Sequence, residues 1–141
     1  MQTNGQRPLM EAKNLKMYFN IKRKGKLHAV DNVSFEIYPG ETLGLVGESG
    51  CGKSTIGNVT MRLLKATGGE LLFEGEDVFQ AKGKESQAFR RKMQIIFQDP
   101  YSSLNPRKTV RKILREPYEV QHMGTSEQID QMVDKLCERV D

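Results

Sequence analysis

The chain has 141 residues, 28% charged and 37% hydrophobic, with a formal net charge of +4, a composition that supports one globular domain with a real core and excludes two of ordinary size. No apolar run approaches the ~20 residues needed to cross a bilayer, and residues 1–14 contain no apolar secretory segment. Cys51 and Cys137 form neither a disulfide framework nor a CxxC site, which fits a reducing cytosol.

In chain order, residues 9–19 (LMEAKNLKMYF) and 27–37 (LHAVDNVSFEI) read as strands. In the second, Val33, Phe35 and Ile37 alternate with Ser34 and Glu36, the period-two pattern of a half-buried strand. Between them lies the densest basic run, Lys22 to Lys26 (KRKGK). A basic pentamer can bind nucleic acid or anionic lipid, but the favoured reading is a solvated hairpin loop turning at Gly25, and the absence of interleaved aromatic residues to stack bases counts against nucleic acid. Tyr38 to Glu41 (YPGE) is a turn, and residues 42–47 (TLGLVG) are apolar on both faces, as a buried parallel strand is.

Beyond a glycine-rich loop, Ile56, Val59, Leu63 and Leu64 recur at helical spacing. Residues 69–75 (GELLFEG) and 94–99 (QIIFQD) read as further strands, separated by a helix around KESQAFRRKM. Two helices follow. The first carries Val110, Ile113 and Leu114 and is interrupted by Pro117. The second starts at a capping box of Thr125 with Gln128 and repeats Ile129, Met132, Val133, Leu136 and Val140 in one apolar stripe, with Cys137 as a packing residue beside it. No internal repeat, low-complexity tract or interdomain linker is present.

The loop is the informative element. Gly47-Glu48-Ser49-Gly50-Cys51-Gly52-Lys53-Ser54, followed by Thr55, fits the phosphate-loop pattern G-x-x-x-x-G-K-[ST] between a predicted strand and a predicted helix. A phosphate chain is bulky and anionic. Binding it takes converging backbone N–H groups, which side chains at Gly50 and Gly52 would obstruct, and the start of the next helix adds unpaired donors and a positive dipole end. Lys53 supplies a point charge for the β- and γ-phosphates, and the Ser54 hydroxyl is a hard ligand for Mg²⁺. Cys51 is either a small residue that fits or a thiol made reactive by the helix N-terminus.

VSFEIYPGETLGLVGESGCGKST, followed further on by MQIIFQDPYSSLNPR, closely resembles the ATP-binding subunits of ABC transporters, and FQDPYSSLNP resembles their oligopeptide/dipeptide importer branch (the OppF/DppF type). The resemblance runs from about Leu9 to the last helix. It implies an α/β P-loop NTPase fold with a RecA-like core, an N-terminal antiparallel β-subdomain and the beginning of a helical subdomain, the C-terminal half being missing. Residues 1–141 are then a partial nucleotide-binding domain, with about 1–99 the β-subdomain and first part of the core, and about 100–141 the Q-loop and the start of the helical subdomain.

The same resemblance implies ATP and Mg²⁺ as cofactors, with the loop Gly47 to Thr55 on the phosphates and Ser54 on the metal. It makes Phe19 (second choice Tyr18) the aromatic that stacks on adenine, and Gln98 the Q-loop residue that senses Mg²⁺ and the attacking water. Lys53 and Gln98 are the catalytic candidates. The implied partners are a second ATPase subunit in a homo- or heterodimer, transmembrane permease subunits gripped by Tyr101 to Pro106, and indirectly an extracellular solute-binding protein, but no nucleic acid. The implied place is the cytoplasmic face of the plasma membrane, held peripherally.

The family pattern then breaks off, with no LSGGQ signature, Walker B Asp-Glu, D-loop or switch histidine. His28 and His122 read as surface residues. Asp99 imitates a Walker B aspartate, but Gln98 before it and Pro100 after it fit the Q-loop better. The chain therefore reads as an N-terminal piece of a longer ATPase, with the strand ending at Val46 and the stripe Ile129 to Val140 deprived of neighbours, so that self-association, helix swapping or disorder is expected. The alternatives are a P-loop kinase or GTPase with Asp99 on Mg²⁺, for which no NKxD element is present, and a non-catalytic nucleotide-binding or assembly module.

Overall fold

The computed structural model describes residues 7–140. Residues 1–6, part of the stretch read as lacking a secretory segment, and the final Asp141 lie outside the described residues. The chain forms two compact units, Met1–Gln94 and Ile95–Asp141.

The first unit is built on a long hairpin, β1 (Met10–Ile21) and β2 (Gly25–Ile37), followed by α1 (Lys53–Thr60), β3 (Gly68–Phe73), β4 (Glu76–Asp77) and α2 (Gly83–Lys92). The basic run lies at the hairpin tip, where Lys24 N donates to Ile21 O at 3.0 Å. The sheet order is β2-β1-β3-β4, every pair antiparallel, so β1 is the central strand. Its alternation is reset once. Asn14 takes a left-handed backbone (φ 49), its N–H donates to Ser34 Oγ at 2.8 Å, and the register shifts there against both neighbours. The bulge keeps Met10 and Ala12 on one side of it, and Leu15 and Met17 on the other, all buried. Gly69 lies against this bulge so closely that a Cβ would stand 2.4 Å from Asn14 O, a space only glycine leaves open.

Two apolar clusters result. Met10, Ala12, Leu71, Phe73 and Val78 close over Phe89 of α2, with Phe73 and Phe89 edge-to-face at 5.5 Å. Leu15, Met17 and Val30 close over Val59 of α1, with Phe19 and Ile56 packed against them. α1 is shorter than the sequence spacing predicts. Arg62 turns left-handed (φ 57), Leu63 N donates back to Asn58 O at 2.8 Å, and Leu63 is left exposed.

Residues 42–47, expected as a buried parallel strand, and 94–99, expected as a further strand, join no sheet among the described residues. Val46 is 98% exposed and Ile96 93%. A parallel strand needs a hydrogen-bonded strand beside it and helices over its faces. Among the described residues the four strands pair only with one another, so the apolar character of these segments finds no ladder to join.

The second unit holds α3 (Pro100–Ser103), α4 (Val110–Val120) and α5 (Ser126–Glu138). The expected interruption at Pro117 does not occur. Pro117 is exposed and costs α4 one backbone donor, yet the helix continues to Val120 and Gln121 N still reaches Pro117 O at 3.2 Å. The capping box is present in full: Thr125 N donates to Gln128 Oε1 at 2.9 Å and Gln128 N to Thr125 Oγ1 at 3.4 Å. The stripe is partly satisfied, since Ile129 and Val133 are buried while Val140 is exposed. Cys137 is exposed and not a packing residue: it follows Val133 by one turn, at the end of α5, where residues 137–140 are all exposed. Arg111 and Arg115 of α4 pair with Asp130 and Asp134 of α5, and Arg115 also with Glu119. These pairs and the buried Ile129 and Val133 join α4 and α5. Among the described residues no helix is long and apolar enough to cross a membrane.

Two outcomes are expected. Leu71→Ala, at a site 0% exposed, costs about 2–5 kcal/mol, whereas Val46→Ala stays within about 0.5 kcal/mol; denaturant unfolding of both variants checks this. Hydrogen bonds and charge from Arg115 hold Asp130 below the usual carboxylate range. A carboxylate depressed on folding stabilises above its unfolded pKa and loses that contribution as pH falls through the folded value. Hydrogen exchange in α4 and α5 is therefore expected to accelerate below about pH 4 after correction for intrinsic rates, and less so in Asp130→Asn.

Candidate functional site: a phosphate loop at the start of a helix

The glycine-rich segment forms an exposed loop ending where α1 begins. Lys53, the first residue of α1, folds its side chain back over the loop, and Nζ donates to Gly47 O at 2.8 Å and to Glu48 O at 2.6 Å. The same ammonium lies 3.5 Å from Cys51 Sγ. Cys51 N reaches Glu48 O at 3.4 Å, closing the turn through Ser49 and Gly50. Among the described residues no side chain caps the helix, and its first turn has no acidic residue. The first N–H groups of α1 thus keep their capacity for an acceptor outside the helix, beside a lysine and at the positive end of the dipole. Ser54 is exposed and Thr55 half-buried at this end.

Gly52 shows why the loop cannot carry side chains everywhere, and the reason differs from the expected one. Its backbone is left-handed (φ 99), and a Cβ would stand 2.3 Å from the carbonyl oxygen of Ala29 on β2. The obstruction is the protein's own strand, not only an incoming phosphate. At Gly50 a Cβ would meet nothing within 4 Å, and at Gly47 it would meet Cys51 Sγ at 2.7 Å.

Phe19 and Tyr18, neighbours on β1, have opposite surroundings, as successive strand residues must. Phe19 packs on the cluster of Leu15, Met17, Val30 and Val59, the α1 side of the sheet. Tyr18 lies flat on His28, with ring centroids 3.9 Å apart and planes 15° from parallel, and its hydroxyl donates to Asp31 Oδ1 at 2.5 Å. Gln98 belongs to the second unit and is exposed. There Asp99 Oδ1 accepts from Tyr101 N at 3.0 Å, which gives Asp99 a place in the turn opening α3. Tyr101 and Leu104 are exposed.

Residues 30–141 match the ABC transporter family. The chain belongs to that family. It is 50% identical over 134 residues to the putative oligopeptide transport ATP-binding protein YkfD of Bacillus subtilis and 52% identical over 134 residues to the oligopeptide transport ATP-binding protein OppF of the same organism, each alignment covering 94% of this chain. It spans 41% and 44% of the lengths of those relatives. Among solved structures it resembles the dimeric, post-hydrolysis state of the ATP-binding cassette MJ0796 bound to ADP and Pi. The TM-score is 0.74 at 26% identity, covering 89% of this chain and 54% of that one.

In this ABC transporter chain the structure brings Gly47 to Thr55 together around the start of α1, sets Phe19 on the α1 side, and leaves Gln98 in the other unit. Sequence reading missed two features: the contact of Gly52 with Ala29, and the grouping of Tyr18, His28 and Asp31. His28 is exposed as expected, yet it carries a ring contact that only strand pairing, Tyr18 opposite His28, could have disclosed.

Gly52→Ala is expected to melt the chain several degrees lower and to uncover the Val59 cluster, because carbonyl and methyl cannot share 2.3 Å. Gly50→Ala pays only the left-handed backbone cost, about 1–2 kcal/mol. Thermal unfolding followed by circular dichroism checks the order of the two.

Proposed function

We propose that this chain is the nucleotide-binding part of an ATP-binding subunit that powers import of peptides, or related small solutes, through an ABC transporter. The observation carrying this reading is the loop Gly47–Thr55 closed beneath Lys53 at an uncapped helix start. The kinship to proteins named for oligopeptide transport supplies the substrate class.

In this reading the loop amides and the first turn of α1 take the phosphates of ATP. Lys53, already positioned over the loop, supplies the cation for the β- and γ-phosphates. The Ser54 hydroxyl is the hard oxygen suited to Mg²⁺, with Gln98 as its second ligand and as the residue orienting the attacking water. Mg²⁺, when held there, neutralises charge on the transferring phosphoryl group. Phe19 stacks on adenine: its position on the α1 side supports it, whereas Tyr18 is committed to His28 and Asp31. Residues from about 100 to 141 hold the Q-loop and the start of the helical subdomain, and the segment Tyr101 to Pro106 meets permease subunits at the cytoplasmic face of the membrane. A second ATPase subunit completes the hydrolytic site. The extracellular solute-binding protein acts through the permease.

Taken alone, the chain is proposed to bind nucleotide without turnover, the module reading, because its residues offer no general base beside Lys53, Ser54 and Gln98. Titration with a fluorescent ATP analogue and Mg²⁺ is expected to show saturable binding that Lys53→Ala weakens at least about tenfold, the scale of one charge-assisted contact. Equal affinity in the variant would sink the phosphate assignment. Phe19→Ala is expected to weaken ATP and GTP alike by about 1–3 kcal/mol, with Tyr18→Ala weaker in effect. Phosphate release is expected to stay at background at all protein concentrations; Lys53-dependent release would overturn the module reading.

A further inference from the structure

We infer that Tyr18, His28 and Asp31 form a positioning cluster for the nucleotide base, holding the end of β1 so that Phe19 stays on the side of α1. The inference rests on the reading of Phe19 as the stacking residue. Tyr18 lies on His28 at 3.9 Å between centroids, donates its hydroxyl to Asp31 Oδ1 at 2.5 Å, and leaves Asp31 Oδ2 3.4 Å from His28 Nδ1.

The location gives these contacts their consequence. The β1–β2 register shifts between Met17, opposite Val30, and Tyr18, opposite His28. At such an irregularity the pairing is offset by one residue, and an offset of one residue exchanges the faces of all that follows. The cluster spans that point on β2, since His28 lies on one side of Val30 and Asp31 on the other. With Tyr18 tied to both, Phe19 cannot exchange places with it. Thr67 Oγ1 adds a second tie, accepting from Tyr18 N at 3.2 Å.

The cluster also reaches the phosphate loop. Ala29, next to His28, carries the carbonyl against which Gly52 is fitted. A single stretch, His28 to Asp31, therefore fixes both the aromatic end of β1 and the start of α1, and with them the distance from base to phosphates. The charges support the arrangement. The Tyr18 hydroxyl, then His28, then Lys16 hold the Asp31 carboxyl below the usual range, and the bond to Asp31 raises the Tyr18 phenol.

Calorimetric titration of the chain with Mg-ATP and with Mg-tripolyphosphate separates positioning from mere stability. His28→Ala and Asp31→Asn are expected to weaken ATP about two- to fivefold, the size of a cross-strand aromatic pair, with tripolyphosphate unchanged. His28→Phe, which keeps the stack, is expected to recover most of the ATP affinity. Parallel loss of ATP and tripolyphosphate, or no loss of either, overturns the inference. So does failure of His28→Phe to recover affinity. If Phe19→Ala itself leaves ATP binding unchanged, the stacking reading fails and takes this inference with it. If Phe19→Ala weakens ATP while the cluster variants do not, only the positioning role is lost.

Discussion

The contact between the start of α1 and the backbone of β2 is the constraint on which the first unit depends. With hydrogen as its side chain, Gly52 comes up against the Ala29 carbonyl at a distance that no other residue permits. That approach lets α1 lie on the hairpin and bury Val59 against Leu15, Met17 and Val30. It also sets where Lys53 begins the helix, and so where its ammonium can return to the carbonyls of Gly47 and Glu48. The glycine-rich loop and the apolar core are thus one packing problem. A glycine that weakens the chain locally contributes through everything stacked behind it.

The hairpin answers that demand from the other side. β1 is bonded on both edges, and a plain two-residue alternation along its twelve residues would not keep both clusters filled. The bulge at Asn14, tied to Ser34, corrects the phase, and Gly69 closes over it. Phe79 packs against both clusters and joins the α1 and α2 halves of the unit. The basic last turn of α2 complements its dipole, with Lys92 paired to Glu74 and 5.9 Å from the centre of the Phe73 ring.

Legibility followed the range of the interactions. The hairpin tip at Lys22–Lys26, the turn at Tyr38–Glu41 and the capping box of Thr125 and Gln128 rest on bonds between residues within a few positions. All three were readable from sequence. Pro117 misled because proline removes one bond and adds one clash, and a helix with an exposed side can absorb both. Leu63 and Leu64 misled because the spacing of apolar residues cannot register that Arg62 turns left-handed and ends the helix. The segments 42–47 and 94–99 misled for a third reason: apolar composition states what a segment would bury, but pairing depends on which strands stand beside it.

The sequence by itself determined the glycine-rich pattern around Gly50, Gly52, Lys53 and Ser54, since backbone freedom, charge and hydroxyl are set at fixed short spacing. It also determined the family, which the match over residues 30–141 bears out, and the antiparallel start of the fold. Only the tertiary structure decided that Gly52 answers to Ala29, that Phe19 faces α1 while Tyr18 is held by His28 and Asp31, and that Val46 and Ile96 stand exposed. Those outcomes depend on strand register and on which surfaces meet across tens of residues. Such contacts are set by the packing of whole elements, and no local run of residues encodes them.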